Sequence, residues 1–288
     1  MREVSKRIKD HELLIFFIFT FGISWGVPGI ILIISYSTGA FVFSLAQYTP
    51  LSYLVIWSPA ISCFITVGIT RGKRGLKAYL SRFKNWRKSC PWILFVIISI
   101  PLMNFLSAVL TDVLGMGKHF SLNLSFSTFI ILALLTATEG PFEEFGWRGF
   151  ALPKLQEKYS GFNSSIILGF IWATWHVPAF FVESVMTGSI EGSIEFIILR
   201  LYINILITSL IMTIVYNATD GSIPLMFIYH WFMNVAYPWE SRAGIHITQD
   251  ILGFILLVIL LYFFYHTYLQ NDNLFIQLTP GLGLQNLG

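Results

Sequence analysis

Charge is scarce in this chain. Asp, Glu, Lys and Arg make up 11% of its 288 residues, whereas an ordinary soluble domain carries about 25%. With 55% hydrophobic residues and a mean hydropathy of +0.71, the apolar surface exceeds what a water-soluble core of this size can hide. Lipid must solvate much of it. Cysteine is nearly absent: Cys63 and Cys90 alone provide neither a disulfide framework nor a CxxC metal pair. There is no HExxH motif and no internal repeat. The N-terminus is basic, but the apolar run behind it is too long for a signal h-region and no A-x-A-like cleavage site follows, so it reads as a retained first span. The net charge of +3 does not point to nucleic acid. The lipid bilayer is the first partner implied.

A membrane-spanning helix needs about 20 apolar residues to cross about 30 Å of hydrocarbon. Eight segments qualify or nearly so: Leu13–Ile34, Ser52–Ile69, Pro91–Leu114, Thr128 to about Leu155, Ser164–Val182, Ile194–Tyr216, Ser222–Ala236 and Ile251–Leu269. The expected fold is therefore all-α, a polytopic bundle of about eight transmembrane helices forming one integral membrane domain over 1–288, with its chemistry in 128–236. Basic residues set the orientation. Fifteen of the 18 Lys and Arg residues fall on one side of the eight-span path. They lie in the tail (Arg2, Lys6, Arg7, Lys9), in the second loop (Arg71 to Lys88) and at Arg148, Lys154 and Lys158. That side is read as cytosolic. It would hold both termini, in a multi-pass protein of the cell membrane. The stretch Leu76–Trp86 mixes basic and aromatic residues, and reads either as a solvated loop or as a segment lying on anionic headgroups.

Ionisable groups at membrane depth are costly, and so each is a functional candidate. Three clusters stand out. In Glu139-Gly-Pro-Phe-Glu143-Glu144-Phe-Gly-Trp-Arg148, Pro141 lacks a backbone N–H and predicts a kink or a fresh helix start. Glu144 and Arg148, at i and i+4, share a helical face, with Glu143 turned about 140° away and left for chemistry. His176 follows Trp172 by four residues inside the fifth span, with Pro178 loosening the backbone. His230 and Asn234, at i and i+4, project from one face of the seventh. Glu139 is a further candidate. His11, His119, His246 and His266 lie at span ends or in loops, and read as packing or surface residues.

EExxxR, then a His preceded at four residues by an aromatic, then HxxxN, in this order on separate apolar spans, resembles the CPBP family, which comprises the type II CAAX prenyl proteases and bacteriocin-processing proteins and is also called the Abi family. Glu143, Glu144 and Arg148 match the first motif, and His230 and Asn234 the third. In the second, which usually reads FxxxH, Trp172 takes the Phe place before His176. The resemblance implies an endopeptidase working within the membrane on a membrane-anchored peptide or protein, or a role in bacteriocin self-immunity. It gives no oligomeric state.

On that footing, Glu143 is expected to act as general base on a water held by His176. His230 and Asn234 would donate to the oxyanion, and Glu144 and Arg148 would support them, in a cavity open to the cytosolic half. Two forms stay open on equal terms: one free of metal, and one with Zn²⁺ on Glu143, His176 and His230, since three N/O ligands and a water describe a catalytic zinc site. Two non-enzymatic readings compete: a proton or ion relay of buried Glu, Arg and His, and a partner-binding immunity or scaffold protein.

Overall fold

The computed structural model describes residues 11–38, 50–86, 90–116, 125–187, 194–235 and 245–270. Lipid offers the backbone no hydrogen-bond partners, so an apolar run must satisfy its own N–H and C=O groups, and helices result. They are α1 (Glu12–Thr38), α2 (Pro50–Ile56), α3 (Ser58–Ser81), α4 (Cys90–Val113), α5 (Phe126–Thr136), α6 (Leu152–Gln156), α7 (Gly161–Thr187), α8 (Ile194–Ala218), α9 (Ile223–Asn234) and α10 (Ile245–Phe264). No strand occurs among the described residues.

The bundle wears its apolar residues outside. Ile33 of α1, Ile98 of α4 and Phe263 of α10 are 69%, 59% and 66% exposed, while hydroxyl side chains lie between helices. Ser165 of α7 meets Ser209 and Thr213 of α8 in a chain of buried hydrogen bonds. Ser107 and Thr111 of α4 both bond Thr248 of α10. Small polar residues between helices and large apolar ones outside are the pattern of a membrane bundle, and the expected all-α polytopic fold is present.

All eight apolar segments read from the sequence are helical over most of their described length, but they are not equals. By length and composition four described helices can cross a membrane: Glu12–Thr38, Cys90–Val113, Ile198–Ala218 and Thr248–Leu269. A fifth exists if α2 and α3, bent by 62°, form one span. The 11-residue α5 and the 12-residue α9 are too short at 1.5 Å per residue. The first half of α9 is buried in the bundle, and its Trp231 donates to the Ala133 carbonyl of the largely exposed α5 at 2.6 Å.

The expected second loop is largely helix. At Gly72, whose φ of 62° suits a residue without Cβ, α3 kinks and then resumes. Beyond the kink it is two-sided. Gly75, Tyr79 and Arg82 turn inward, and Lys73, Lys77, Leu80 and Lys84 outward. Periodicity had been masked by the density of charge. Side-chain bonds tie this segment to one end of the bundle. Arg71 pairs with Glu12 at the start of α1, which also holds Lys154 of α6 at 3.2 Å. Arg82 bonds Tyr216 near the end of α8 at 2.6 Å, and Asn217 bonds the Tyr268 carbonyl after α10 at 2.7 Å. The start of α1, the basic segment, α6 and the end of the last helix thus share one end. The basic tail 1–9, Lys118 and the acidic loop from Glu183 fall outside the residues whose side chains are described.

Candidate functional site

After α5 the chain abandons the α-helix. Gly140–Phe145 forms a 3₁₀ turn and Trp147–Ala151 a π-helical turn, a pairing of tight and wide turns that recurs at functional sites. Pro141, in the first turn, supplies no N–H. The outcome is two parallel i,i+4 contacts on adjacent residues. Glu144 accepts from Arg148 Nη1 at 3.0 and 3.3 Å. Glu143 Oε2 accepts from the Trp147 indole N–H at 3.2 Å.

The Glu144–Arg148 pair is the one expected from helical spacing. Glu143, however, is not left free. Its Oε2 also accepts from the indole N–H of Trp172 at 2.9 Å. The 140° divergence was reckoned for an α-helix, and a 3₁₀ turn running into a π turn does not keep that angle. Glu144 and Arg148 are wholly buried and Glu143 nearly so.

Trp172 is the hub of the site. Its N–H holds Glu143, and the Arg148 guanidinium carbon lies 4.3 Å from the centroid of its ring, within cation–π range. Its ring centroid is 5.5 Å from that of His230 and 5.7 Å from that of His176. A phenylalanine, usual at this motif position, would keep the stacking and lose the bond to Glu143. Trp147 and Trp172 are thus site residues that pattern reading took for apolar flanking and replacement. The signal available was the indole N–H, a donor that must find a partner when buried.

His230 enters from α9, started by Ser222, whose side chain caps Leu225 N–H. Its Nδ1 lies 2.7 Å from Glu144 Oε1, so Glu144 sits between a guanidinium and an imidazole. His230 Nε2 and Asn234 Nδ2 crowd against Gly140, whose missing Cβ would stand 2.5 Å from the first and 2.3 Å from the second. Asn234, at the last residue of α9, is exposed. His176 is half-buried, with Nδ1 2.9 Å from the Trp172 carbonyl. With Nδ1–H donated there, its dealings with a water or substrate run through Nε2. Glu139 is buried immediately before the 3₁₀ turn.

All six motif residues therefore lie on or beside the two turns, α7 and α9. Chemically, the cluster offers one carboxylate held by indole N–H groups, one held by a guanidinium and an imidazole, and imidazole and amide groups beside a bare glycine. Among the described residues no three His, Cys, Asp or Glu side chains are grouped so as to hold a metal ion. Glu143 Oε2 and His230 Nδ1 are engaged by Trp172 and Glu144, so a metal on the expected residues would be met by Glu143 Oε1 and by the Nε2 atoms of His176 and His230.

A polytopic helix bundle with an apolar exterior and a titratable cluster buried where its backbone turns irregular defines a class: membrane proteins whose chemistry lies among their helices. Comparison with known proteins narrows this class. A model of the type II CAAX prenyl endopeptidase Rce1-like family matches residues 124–236, the span that carries all six motif residues. A protein named CAAX prenyl protease 2 from Methanococcus maripaludis is 28% identical over 222 residues, covering 74% of this chain and 80% of that protein. Over its motif-bearing part the chain is thus similar to the type II CAAX prenyl endopeptidases.

Proposed function

We propose that this chain is an intramembrane endopeptidase that hydrolyses a peptide bond in a membrane-anchored, prenylated protein or peptide, using a water activated by Glu143. The observation that carries the reading is the contrast between the two carboxylates. Glu144 is tied to Arg148 and His230. Among the described residues, the groups that hold Glu143 are the indole N–H groups of Trp147 and Trp172. A carboxylate tied to cations is the weaker proton acceptor, so the neutral clamps leave the base role to Glu143.

The steps follow from this division. Glu143 takes a proton from water as the oxygen attacks the scissile carbonyl carbon, and later gives it to the leaving amine as the C–N bond breaks. Asn234 Nδ2–H and His230 Nε2–H face the developing oxyanion. Neutral His230, donating Nδ1–H to Glu144, would offer only an acceptor at Nε2, so the donor form is the imidazolium. Each donor to an oxyanion is worth about 2.7–4 kcal/mol in a comparable soluble case. His176 Nε2 holds the attacking water.

The test is Glu143→Gln in purified, reconstituted protein with a farnesylated peptide. Turnover should fall at least about 100-fold, the lower bound for a lost general base, with thermal melting nearly unchanged, because the amide still accepts from both indoles. Wild-type turnover would remove Glu143 from the base role and with it this mechanism.

A further inference from the structure

The segment beyond Gly72 has two faces, and the site uses one. Inward, Tyr79 donates its hydroxyl to the Phe145 carbonyl and Arg82 bonds the Gly149 carbonyl, so this segment braces the turns that carry Glu143, Glu144 and Arg148. Outward, Lys73, Leu76, Lys77, Leu80, Ser81 and Lys84 line a groove of about 500 Å³. No carboxylate is among the lining residues. Leu80 is 49% exposed, and Trp86 just beyond it 45%.

We infer that this groove binds the headgroup of an anionic phospholipid. Lys73, Lys77 and Lys84 hold the phosphate, and Leu76 and Leu80 lie along the first carbons of the acyl chains. The lysines are spaced as one stripe of the helix, so three cations converge on one strip with no acid among the described residues that line it. An acidic soluble partner would account for the lysines but not for exposed Leu80 and Trp86. An apolar partner would account for the latter and leave three cations unpaired. An amphiphile with an anionic head satisfies both, and tryptophan beside lysine is the composition of a membrane–water boundary. The helix meets this boundary on its outer side while its inner side holds the catalytic turns, so lipid in the groove bears on the same brace.

Native mass spectrometry of the full chain in neutral detergent, supplied with phosphatidylglycerol or phosphatidylcholine, tests the site. Phosphatidylglycerol should be retained preferentially, and Lys73→Gln, Lys77→Gln and Lys84→Gln should each weaken its retention about fivefold, the effect of one lysine at an anionic surface. Lys158→Gln removes the same charge from an exposed position outside the groove and should leave retention unchanged. Equal retention of both lipids, or a loss in Lys158→Gln matching that of the groove variants, would overturn the inference. Millimolar inorganic phosphate should fail to displace the lipid; displacement would mark a simple anion site and overturn it as well. The three single variants act at exposed side chains and are expected to melt as wild type, so retention is read on folded protein.

Discussion

Placing an alanine at Gly140 probes the alignment of the two halves of the site. A Cβ there would stand 2.3 Å from Asn234 Nδ2, 2.5 Å from His230 Nε2 and 2.9 Å from His230 Cδ2, where ordinary contact begins at 3.4 Å. Gly140 is not among the described residues with positive φ, so the backbone tolerates alanine and the conflict is steric. Asn234 is exposed at a helix end and can swing aside. His230 cannot, being buried and tied through Nδ1 to Glu144, itself tied to Arg148. Relief therefore requires either the imidazole to withdraw by roughly 1 Å or the turn bearing Glu143 to back away by a like amount, and a displacement of that size costs about 100-fold in rate. The overpacking itself costs about 1–3 kcal/mol, or roughly 2–12 °C in melting temperature at about 2–4 °C per kcal/mol. Cleavage of a farnesylated peptide in proteoliposomes, with melting measured alongside, reads both. A Gly140→Ala protein with wild-type kcat would refute the reasoning, because His230 and Asn234 would then not be needed where they stand.

Trp172→Phe keeps the ring against Arg148, His176 and His230 but removes the 2.9 Å bond to Glu143. It should lower kcat about tenfold or more, the worth of a hydrogen bond to a charged group, with KM little changed. An unaltered kcat would show that the indole N–H does not position the base. Arg148→Ala leaves Glu144 buried without its cation and should cost about 3–5 kcal/mol, seen as a lowered melting temperature even where activity is already lost; an unchanged melting curve would deny the pair its structural role. In a background free of Cys63 and Cys90, cysteines at Lys158 and Met116, exposed at opposite ends of the bundle, should react with a membrane-impermeant thiol reagent from opposite faces of the membrane. Lys158→Cys should be labelled only from the cytosolic side. Labelling from outside intact cells would reverse the topology read from the basic residues.

What the sequence made legible was local, and what it hid was long-range or irregular. Apolar runs announced the helices because a membrane span is a one-dimensional signal. Glu144 and Arg148 could be paired because four residues is close to one helical turn. The bond between His230 and Glu144 joins residues 86 positions apart, and no spacing encodes it; only the joint rarity of such groups in apolar spans suggested that they meet. The helices α5 and α9 have the hydropathy of a span without its length, because hydropathy registers composition and not where a helix ends. The helix after Gly72 was read as a loop because four cations in seven residues, Arg71, Lys73, Arg74 and Lys77, swamp a periodicity that only Gly75, Tyr79 and Arg82 reveal once their burial is known.

The hidden part is also where the chemistry is decided. An α-helix would carry Glu143 and Glu144 about 100° apart and present them to different surroundings. Across the 3₁₀ and π turns each still reaches the partner four residues on, an indole for the first and a guanidinium for the second. Trp172 then closes over both, its N–H on Glu143 and its ring face on Arg148. One side chain from a different helix thereby links the neutral clamp and the ionic clamp, so the base cannot shift without disturbing the pair that orients His230. A substitution at Trp172 should for that reason be non-additive with one at Arg148. If the double variant Trp172→Phe/Arg148→Lys lost activity by the product of the single losses, the two clamps would be independent and the indole a spacer.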